Sequence, residues 1–171
     1  MKTLIILLAV CVTALSASGQ QVQVQLTVQP ITKKKSSGDG GYNSRDVQAN
    51  RALKITIQNS SGQHINGLTL RWAVVKSKTD HFGHNSDSYQ GRAFGAEQQI
   101  DLKPLEQKII ETEAVGASRY EYDYSNHKHG EVIDGHGAQI LKDGKIITEQ
   151  IIPPTLKKAF EKIRPVEDDK K

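Results

Sequence analysis

The segment from Arg51 to Lys76 reads RALKITIQNSSGQHINGLTLRWAVVK, and this segment decides the fold. Apolar and polar residues alternate over residues 53–57 and again over residues 68–74. Because successive side chains of a strand point to opposite faces, this pattern predicts two strands, each with one buried face. Amide and small residues at positions 59–63 favour a turn between the two strands. Trp72 continues the apolar face of the second strand, so we expect it in the core.

Similar patterns along the chain predict seven strands in all. Their expected ranges are residues 21–31, 51–60, 66–76, 97–102, 107–114, 135–141 and 146–152. The strongest turn signal is Asp143-Gly144, because this pair readily adopts the positive φ angles of a two-residue hairpin. After the last strand, apolar residues at helical spacing between two prolines predict a short helix over residues 155–164.

Seven short strands, a tryptophan on the third and a tight final hairpin are typical of an all-β fold, the antiparallel sandwich of the immunoglobulin type. In the stretches LKITIQNSS (53–61), IxGLTLRW (65–72) and DLKPLE (101–106), the sequence resembles small secreted bacterial immunoglobulin-like modules of the fibronectin-III-like kind. Leu105 stands where their Leu-x-Pro-Gly-Glu corner has glycine. The resemblance covers roughly residues 51–152, marks a fold class rather than one family, and implies a binding or scaffolding role without catalytic residues.

The first nineteen residues have the pattern of a secretory signal peptide. Lys2 gives a positive start, and the apolar run that follows is too short to span a bilayer. The triplet Ala17-Ser18-Gly19 predicts cleavage between Gly19 and Gln20. Residues 20–152 would then form the sandwich domain, and residues 153–171 a short helix with a disordered tail.

Cleavage would remove Cys11, which is the one cysteine of the chain. Secretion without disulfides favours a bacterial protein that is extracellular or periplasmic and is stabilised by its core. An alternative interpretation makes Cys11 a lipid-bearing N-terminus, but Val10 stands where a lipobox usually has glycine or alanine. No later stretch is apolar enough for a membrane helix, so we expect no transmembrane segment in the mature chain.

The composition excludes several classes of function. A net charge of +4 over 171 residues is too mild for a nucleic-acid-binding protein. A mean hydropathy of −0.52 excludes a membrane-embedded protein. The mature chain has no thiol nucleophile, and it lacks both a phosphate-binding loop and a Gly-x-Ser-x-Gly elbow. We therefore expect a non-catalytic module whose partner is a protein, a polysaccharide or a cell surface.

Three long connections, residues 32–50, 77–96 and 115–134, alternate with short turns in this order of strands. When each strand crosses the sandwich once, alternate connections fall at the same end, so all three long loops are expected together. A single extra strand in one loop would break this argument, and residues 119–124 are the candidate for one. The sequence predicts that this end binds the ligand.

Two of these loops carry histidines that suggest an alternative function. His81, His84, His127 and His129 could supply imidazole ligands to zinc or another divalent metal. Their spacings match no known zinc signature, so ordinary polar loops without a metal are the favoured interpretation. We therefore expect no cofactor, with zinc as the alternative.

A third reading is a carbohydrate-binding module. Tyr120, Tyr122 and Tyr124 alternate with Glu121 and Asp123, so in an extended segment the rings share one face and the acids the other. An exposed face of tyrosines could stack on sugar rings. Because amphipathic aromatics usually pack over a sheet, the favoured interpretation places these rings in the core or as anchors of the loop.

Overall fold

The computed structural model describes residues 23–40, 44–79, 91–122 and 128–167, with the backbone alone at 35–40, 44, 122 and 128. The predicted signal peptide, Cys11 and the cleavage site at Gly19 and Gln20 lie outside the described residues. No helix in these described ranges is long and apolar enough to cross a membrane.

Nine strands and one 3₁₀ helix make up the described chain. The strands are β1 (Val24–Gly40), β2 (Ser44–Asn59), β3 (Ile65–Thr79), β4 (Arg92–Leu102), β5 (Gln107–Glu111), β6 (Val115–Tyr122), β7 (Lys128–Lys142), β8 (Lys145–Ile152) and β9 (Ile163–Pro165). The 3₁₀ helix spans Pro154–Glu161, between β8 and β9. An all-β fold with a short C-terminal helix is therefore confirmed.

The strands form one connected sheet in the order β1-β2-β6-β7-β3-β4-β9, with β5 on β2 and β8 on β7. All pairs are antiparallel except β4 and β9, which run parallel. The predicted antiparallel all-β fold is confirmed, and the short strand β9 adds one parallel pair at its edge. The immunoglobulin-type arrangement itself stays a prediction.

The main core lies where β1 and β2 pack against β3, β4 and β7. The apolar side chains of β1 and β2 form one side of this core, and those of β3, β4 and β7 form the other. The two sides pack through their side chains. Its fully buried members include Leu53, Ile55, Ile57, Leu68 and Leu70, and Trp72 is 5% exposed. Burial of such side chains contributes about 25 cal/mol per Å² of apolar surface, and this drives the two faces together. The predicted placement of Trp72 in the core is confirmed.

A second cluster lies on the other face of β3 and β4. Phe160 of the 3₁₀ helix, 2% exposed, packs there against Ala73, Val75 and Ala93. The chain then runs along the edge of β4 as β9, and Val166 beyond it enters the main core. The C-terminal residues therefore wrap around one edge of the sheet. Of the predicted helix at 155–164, residues 155–161 are helical and residues 163–164 belong to β9.

Much of each predicted loop is strand. Residues 32–40 and 44–50 extend the β1-β2 hairpin, and residues 92–96 extend β4 along β3. Residues 77–79 extend β3 along β7, and β6 and the start of β7 fill most of 115–134. These predictions were wrong because the segments lack a sustained alternation of large apolar and polar residues, which was the signal used to find strands. Backbone pairing with neighbouring strands holds them.

The strand ends that lead into the three connections nevertheless lie at one end of the sheet. The register pairs Gly40 with Ser44 and Ser44 with Tyr122, and it pairs Thr79 with Gly130. The extra strand β6 does not disturb this parity, because β5 and β6 follow each other in the same direction along β2. We call this end the tip end.

The opposite end is closed by tight turns. Asp143 (φ 51°) and Gly144 (φ 75°) both have positive φ, which confirms the predicted two-residue hairpin. Asn59, which is fully buried, ties the β2-β3 turn to the β4-β5 turn by donating to the carbonyls of Gln63 (2.7 Å) and Lys103 (2.8 Å). Its own amide oxygen accepts from the Ser61 backbone N–H and hydroxyl.

Candidate binding face

Near the tip end the interior changes from apolar to charged. Lys76 of β3 follows Trp72 and Val74 along the same face of the strand, and it is 3% exposed. Its Nζ donates to Glu131 Oε2 (2.7 Å) and to the Gly116 carbonyl (3.0 Å). Nζ also lies 4.9 Å from the centre of the Phe94 ring, a cation–π distance.

Glu131 on β7 holds a second cation. Arg92 Nη2 lies 3.2 Å from Glu131 Oε1, and its Cζ is 5.9 Å from the Phe94 ring centre. A buried charge is stable only when it is paired and hydrogen-bonded, and Lys76 meets both conditions. The three charges therefore form a fixed network where the apolar core ends.

A cavity of about 360 Å³ opens beside this network. Its walls come from β2, β3, β6 and β7 and from the C-terminal segment. They are mostly polar, and their residues are Gln48, Asn50, Lys76, Ala114, Gly116, Ala117, Ser118, Glu131 and Val166. Volumes of roughly 300–1,000 Å³ are typical of small-molecule sites. This volume lies at the small end of that range.

Cross-strand rows of polar side chains continue from the cavity toward the tip end. The register places Gln48 opposite Ser118, and it places Tyr120 between Asp46 and His129. Directly paired residues of antiparallel strands project from the same face. We call the surface formed by Asp46, Gln48, Ser118, Tyr120, His129 and Glu131, together with the cavity, the polar face.

Tyr120 is 54% exposed on the polar face. Tyr120 therefore does not lie in the core, which was one of the two placements in the favoured interpretation, and the other, an anchor of the loop, stays a prediction. The backbone of Tyr122 lies in β6, its side chain is outside the described atoms, and Tyr124 is outside the described residues altogether. Of the three predicted ligand-binding tyrosines, Tyr120 is thus the one that can be placed.

The acid beside Tyr120 explains why the ring faces outward. Glu121 projects to the opposite face and is 8% exposed. Its two carboxylate oxygens pair with Arg119 (2.6 Å) and Arg45 (2.7 Å). The hydrogen bond from Arg119 is the main cause that lowers the pKa of Glu121, with Arg45 adding to it and burial opposing it. This charged cluster fixes which face of β6 points inward.

Of the four predicted metal ligands, the structure describes His129. His129 lies in β7 and is exposed, whereas His81, His84 and His127 lie outside the described residues. Within the described part of the chain, no group of three or more His, Cys, Asp or Glu side chains could hold a metal ion. The register places His129 opposite Tyr120 across the strands.

His136, which the sequence places beside a long loop, is buried in β7 at 5% exposure. Neither ring nitrogen has a hydrogen-bond partner among the residues that the structure describes. Burial lowers the pKa of His136, and the positive charge of Arg51 lowers it further. His136 is seven positions from His129 along one strand, a separation of about 20 Å, so these two histidines cannot share a site.

Several residues of the polar face were missed by sequence reasoning. Gln48, Ser118 and Glu131 fall in segments predicted as loops, where no face can be assigned. The ion pair between Lys76 and Glu131 joins residues 55 positions apart, and no local pattern signals such a contact. Alternation over residues 44–50 and 115–122 was the one signal that could have placed the polar face.

Comparisons with known proteins give a distant likeness to two solved structures. No protein-family model and no curated protein matches the chain. A crystal structure from Akkermansia muciniphila is 14% identical with a TM-score of 0.34, covering 87% of this chain and 83% of that one. Northeast Structural Genomics Consortium target SoR45 is 16% identical with a TM-score of 0.30, covering 77% and 81%. Neither likeness assigns a family or a function.

Proposed function

We propose that this protein is a non-catalytic binding module that takes its ligand on the polar face at the tip end. The observation that carries the proposal is the exposed Tyr120 within rows of polar side chains that lead into the cavity beside Lys76. Export through the N-terminal signal peptide, to the periplasm or the outside, is part of the proposal. So is a partner that is not nucleic acid.

The architecture supports binding, because the side chains of the polar face are fixed by strands. Sites on strands hold their geometry better than sites on loops. Lys76 is held by Glu131 and by the Gly116 carbonyl. Its ammonium therefore shapes the wall of the cavity instead of acting as a nucleophile.

The test blocks the polar face with a long charged side chain. The purified protein is applied to a glycan array and to a peptide array, and so are the variants Gln48→Arg and Gln107→Arg. Gln107 is exposed on β5, away from the polar face, so its variant is the matched control. We expect a ligand on at least one array, lost with Gln48→Arg and kept with Gln107→Arg. Absence of any ligand, or equal binding by both variants, would contradict the proposal.

Export has its own test. Expression in a bacterial host with a standard secretion pathway should release a protein whose N-terminal sequence begins at Gln20. An intact Met1 on the exported protein, or retention of all protein in the cytoplasm, would contradict export by cleavage.

A further inference from the structure

We propose that the ligand of the polar face is an uncharged carbohydrate chain, with Tyr120 as the stacking platform for one sugar ring. This inference rests on the proposed binding function and names its ligand class. The exposed ring, the polar groups around it and the numbers of positive and negative side chains each support this ligand class.

Tyr120 has a fixed place in the sheet and an exposed surface. It lies in β6, which is paired on one side with β2 and on the other with β7, so its backbone cannot rotate. The ring nevertheless remains 54% exposed. Flat aromatic rings present an apolar surface together with a polar tip, and this suits the apolar C–H face of a pyranose whose edge bears hydroxyl groups.

The neighbours of Tyr120 are groups that bind hydroxyls. Asp46 and His129 lie directly across the strands on either side of Tyr120, and Gln48 and Ser118 form the next row. Carboxylate and amide oxygens accept hydrogen bonds, while amide, imidazole and hydroxyl groups donate them. Asp46 Oδ1 has no hydrogen-bond partner among the described residues, so a ligand hydroxyl would satisfy it after a small side-chain rotation.

The two cations beside the cavity, Lys76 and Arg92, are matched in number by the carboxylates of Glu131 and Asp46 on the polar face. Lys76 and Arg92 both pair with Glu131, so the cations beside the cavity are not directed at a ligand. A strongly anionic or cationic ligand usually meets a concentrated patch of the opposite sign. An uncharged ligand fits the observed pairing better.

A protein partner fits the polar face less well. Protein interfaces depend on a central cluster of buried aromatic and apolar side chains. Among the described residues of the polar face, Tyr120 is the sole exposed large hydrophobic side chain; the others on the described surface lie elsewhere, as with Leu105 and Ile109. One ring surrounded by polar groups is enough to stack on a sugar but provides no such cluster.

The test is affinity gel electrophoresis of the purified protein through gels that contain hydroxyethylcellulose, mixed-linkage β-glucan, galactomannan or starch. The variants are Tyr120→Ala, Tyr120→Trp and the control Ile109→Ala, which removes an equally exposed apolar side chain from β5. We expect retardation in at least one gel. Stacking of rings typically contributes enough for a loss of about three- to tenfold in affinity with Tyr120→Ala. Tyr120→Trp and Ile109→Ala should bind like the unmodified protein.

The outcomes separate this inference from the proposed function. Retardation that Tyr120→Ala leaves unchanged, or that Ile109→Ala reduces equally, overturns the role of the ring. Binding to the peptide array alone, lost with Gln48→Arg, overturns the carbohydrate class and leaves the binding function standing. If no gel and neither array gives binding, both proposals fail. Circular dichroism of each variant shows whether a loss of binding comes from unfolding.

Discussion

Asn59 gives the sharpest test of how the end opposite the tip is held together, and replacing it with alanine is the perturbation. The side chain is fully buried and makes four hydrogen bonds, at 2.7 Å to Gln63 O, 2.8 Å to Lys103 O, and 2.9 and 2.7 Å from the N–H and hydroxyl of Ser61. These bonds connect turns that are more than forty positions apart.

The magnitude follows from the number of bonds. A typical intramolecular hydrogen bond contributes about 0.5–1.5 kcal/mol net, so four bonds set an upper range of about 2–6 kcal/mol. Gln63 and Lys103 are exposed residues, and water can reach their carbonyls once the amide is gone. We therefore expect Asn59→Ala to lower the free energy of unfolding by about 2–4 kcal/mol. Asn59→Asp should lower it at least as much, because it turns an acceptor toward both carbonyls.

Urea unfolding followed by tryptophan fluorescence measures the effect, since Trp72 is the one tryptophan of the chain and lies in the core. With a slope of about 2 kcal/mol per M, a loss of 3 kcal/mol moves the midpoint by about 1.5 M. Asn50→Ala is the matched control, because Asn50 is exposed. A shift for Asn59→Ala that equals that of Asn50→Ala would refute the reasoning.

Three further predictions concern the backbone, the C-terminal segment and pH. Leu105 has φ 58° and is 70% exposed, so Leu105→Gly should raise the unfolding free energy by about 0.5–1 kcal/mol, whereas Leu105→Ala, which keeps Cβ, should not. Val166→Ala should lower it by about 1–2 kcal/mol in urea unfolding, because the side chain is 6% exposed in the core; no loss would mean that the C-terminal segment is detached in solution. Because the pKa of His136 is lowered in the folded protein, its contribution is complete above the ordinary value of 6.5 and is lost as pH falls below it. Thermal melts should therefore show a decline below pH 6.5 that His136→Leu reduces; an unchanged pH profile in that variant would assign the decline to other groups.

The sequence predicted the fold best where one face of a strand is apolar. Arg51–Lys76 gave two strands and a buried Trp72 because leucines and isoleucines alternate with polar residues there. The turn at Asp143-Gly144 was found because its residue types are the ones that accept positive φ. Both signals are local, and both are strong.

The tip half was missed for the opposite reason. Residues 44–50 and 115–122 contain one large aliphatic residue each, Val47 and Val115, so their alternation carries a weak hydrophobic signal. Pairing with distant strands holds them extended, and single-sequence patterns do not report such pairing. Strand β9 has three residues, one of them proline, and was too short to find.

The same difficulty explains what was missed at the candidate site. The alternation of tyrosines with acids drew attention to Tyr120, but it does not show which of the two faces of β6 is buried. Glu121 lies on the buried face because Arg45 and Arg119 pair with it there. Lys76 stands at a position that the alternation in β3 assigns to the apolar core, although lysine carries a charge. The conflict is resolved by Glu131, and that contact could not be anticipated from the sequence.

The central claim is that the polar face at the tip end is where this protein binds its ligand. The most direct measurement is titration of the ¹⁵N-labelled protein with cellohexaose and with mannohexaose, followed by amide chemical shifts. The account predicts shifts with at least one of them, centred on residues 46–48, 118–120 and 129–131. Shifts confined to the turns at 60–64 and 103–106 would contradict it, and no shift with either sugar would contradict the carbohydrate class of the ligand.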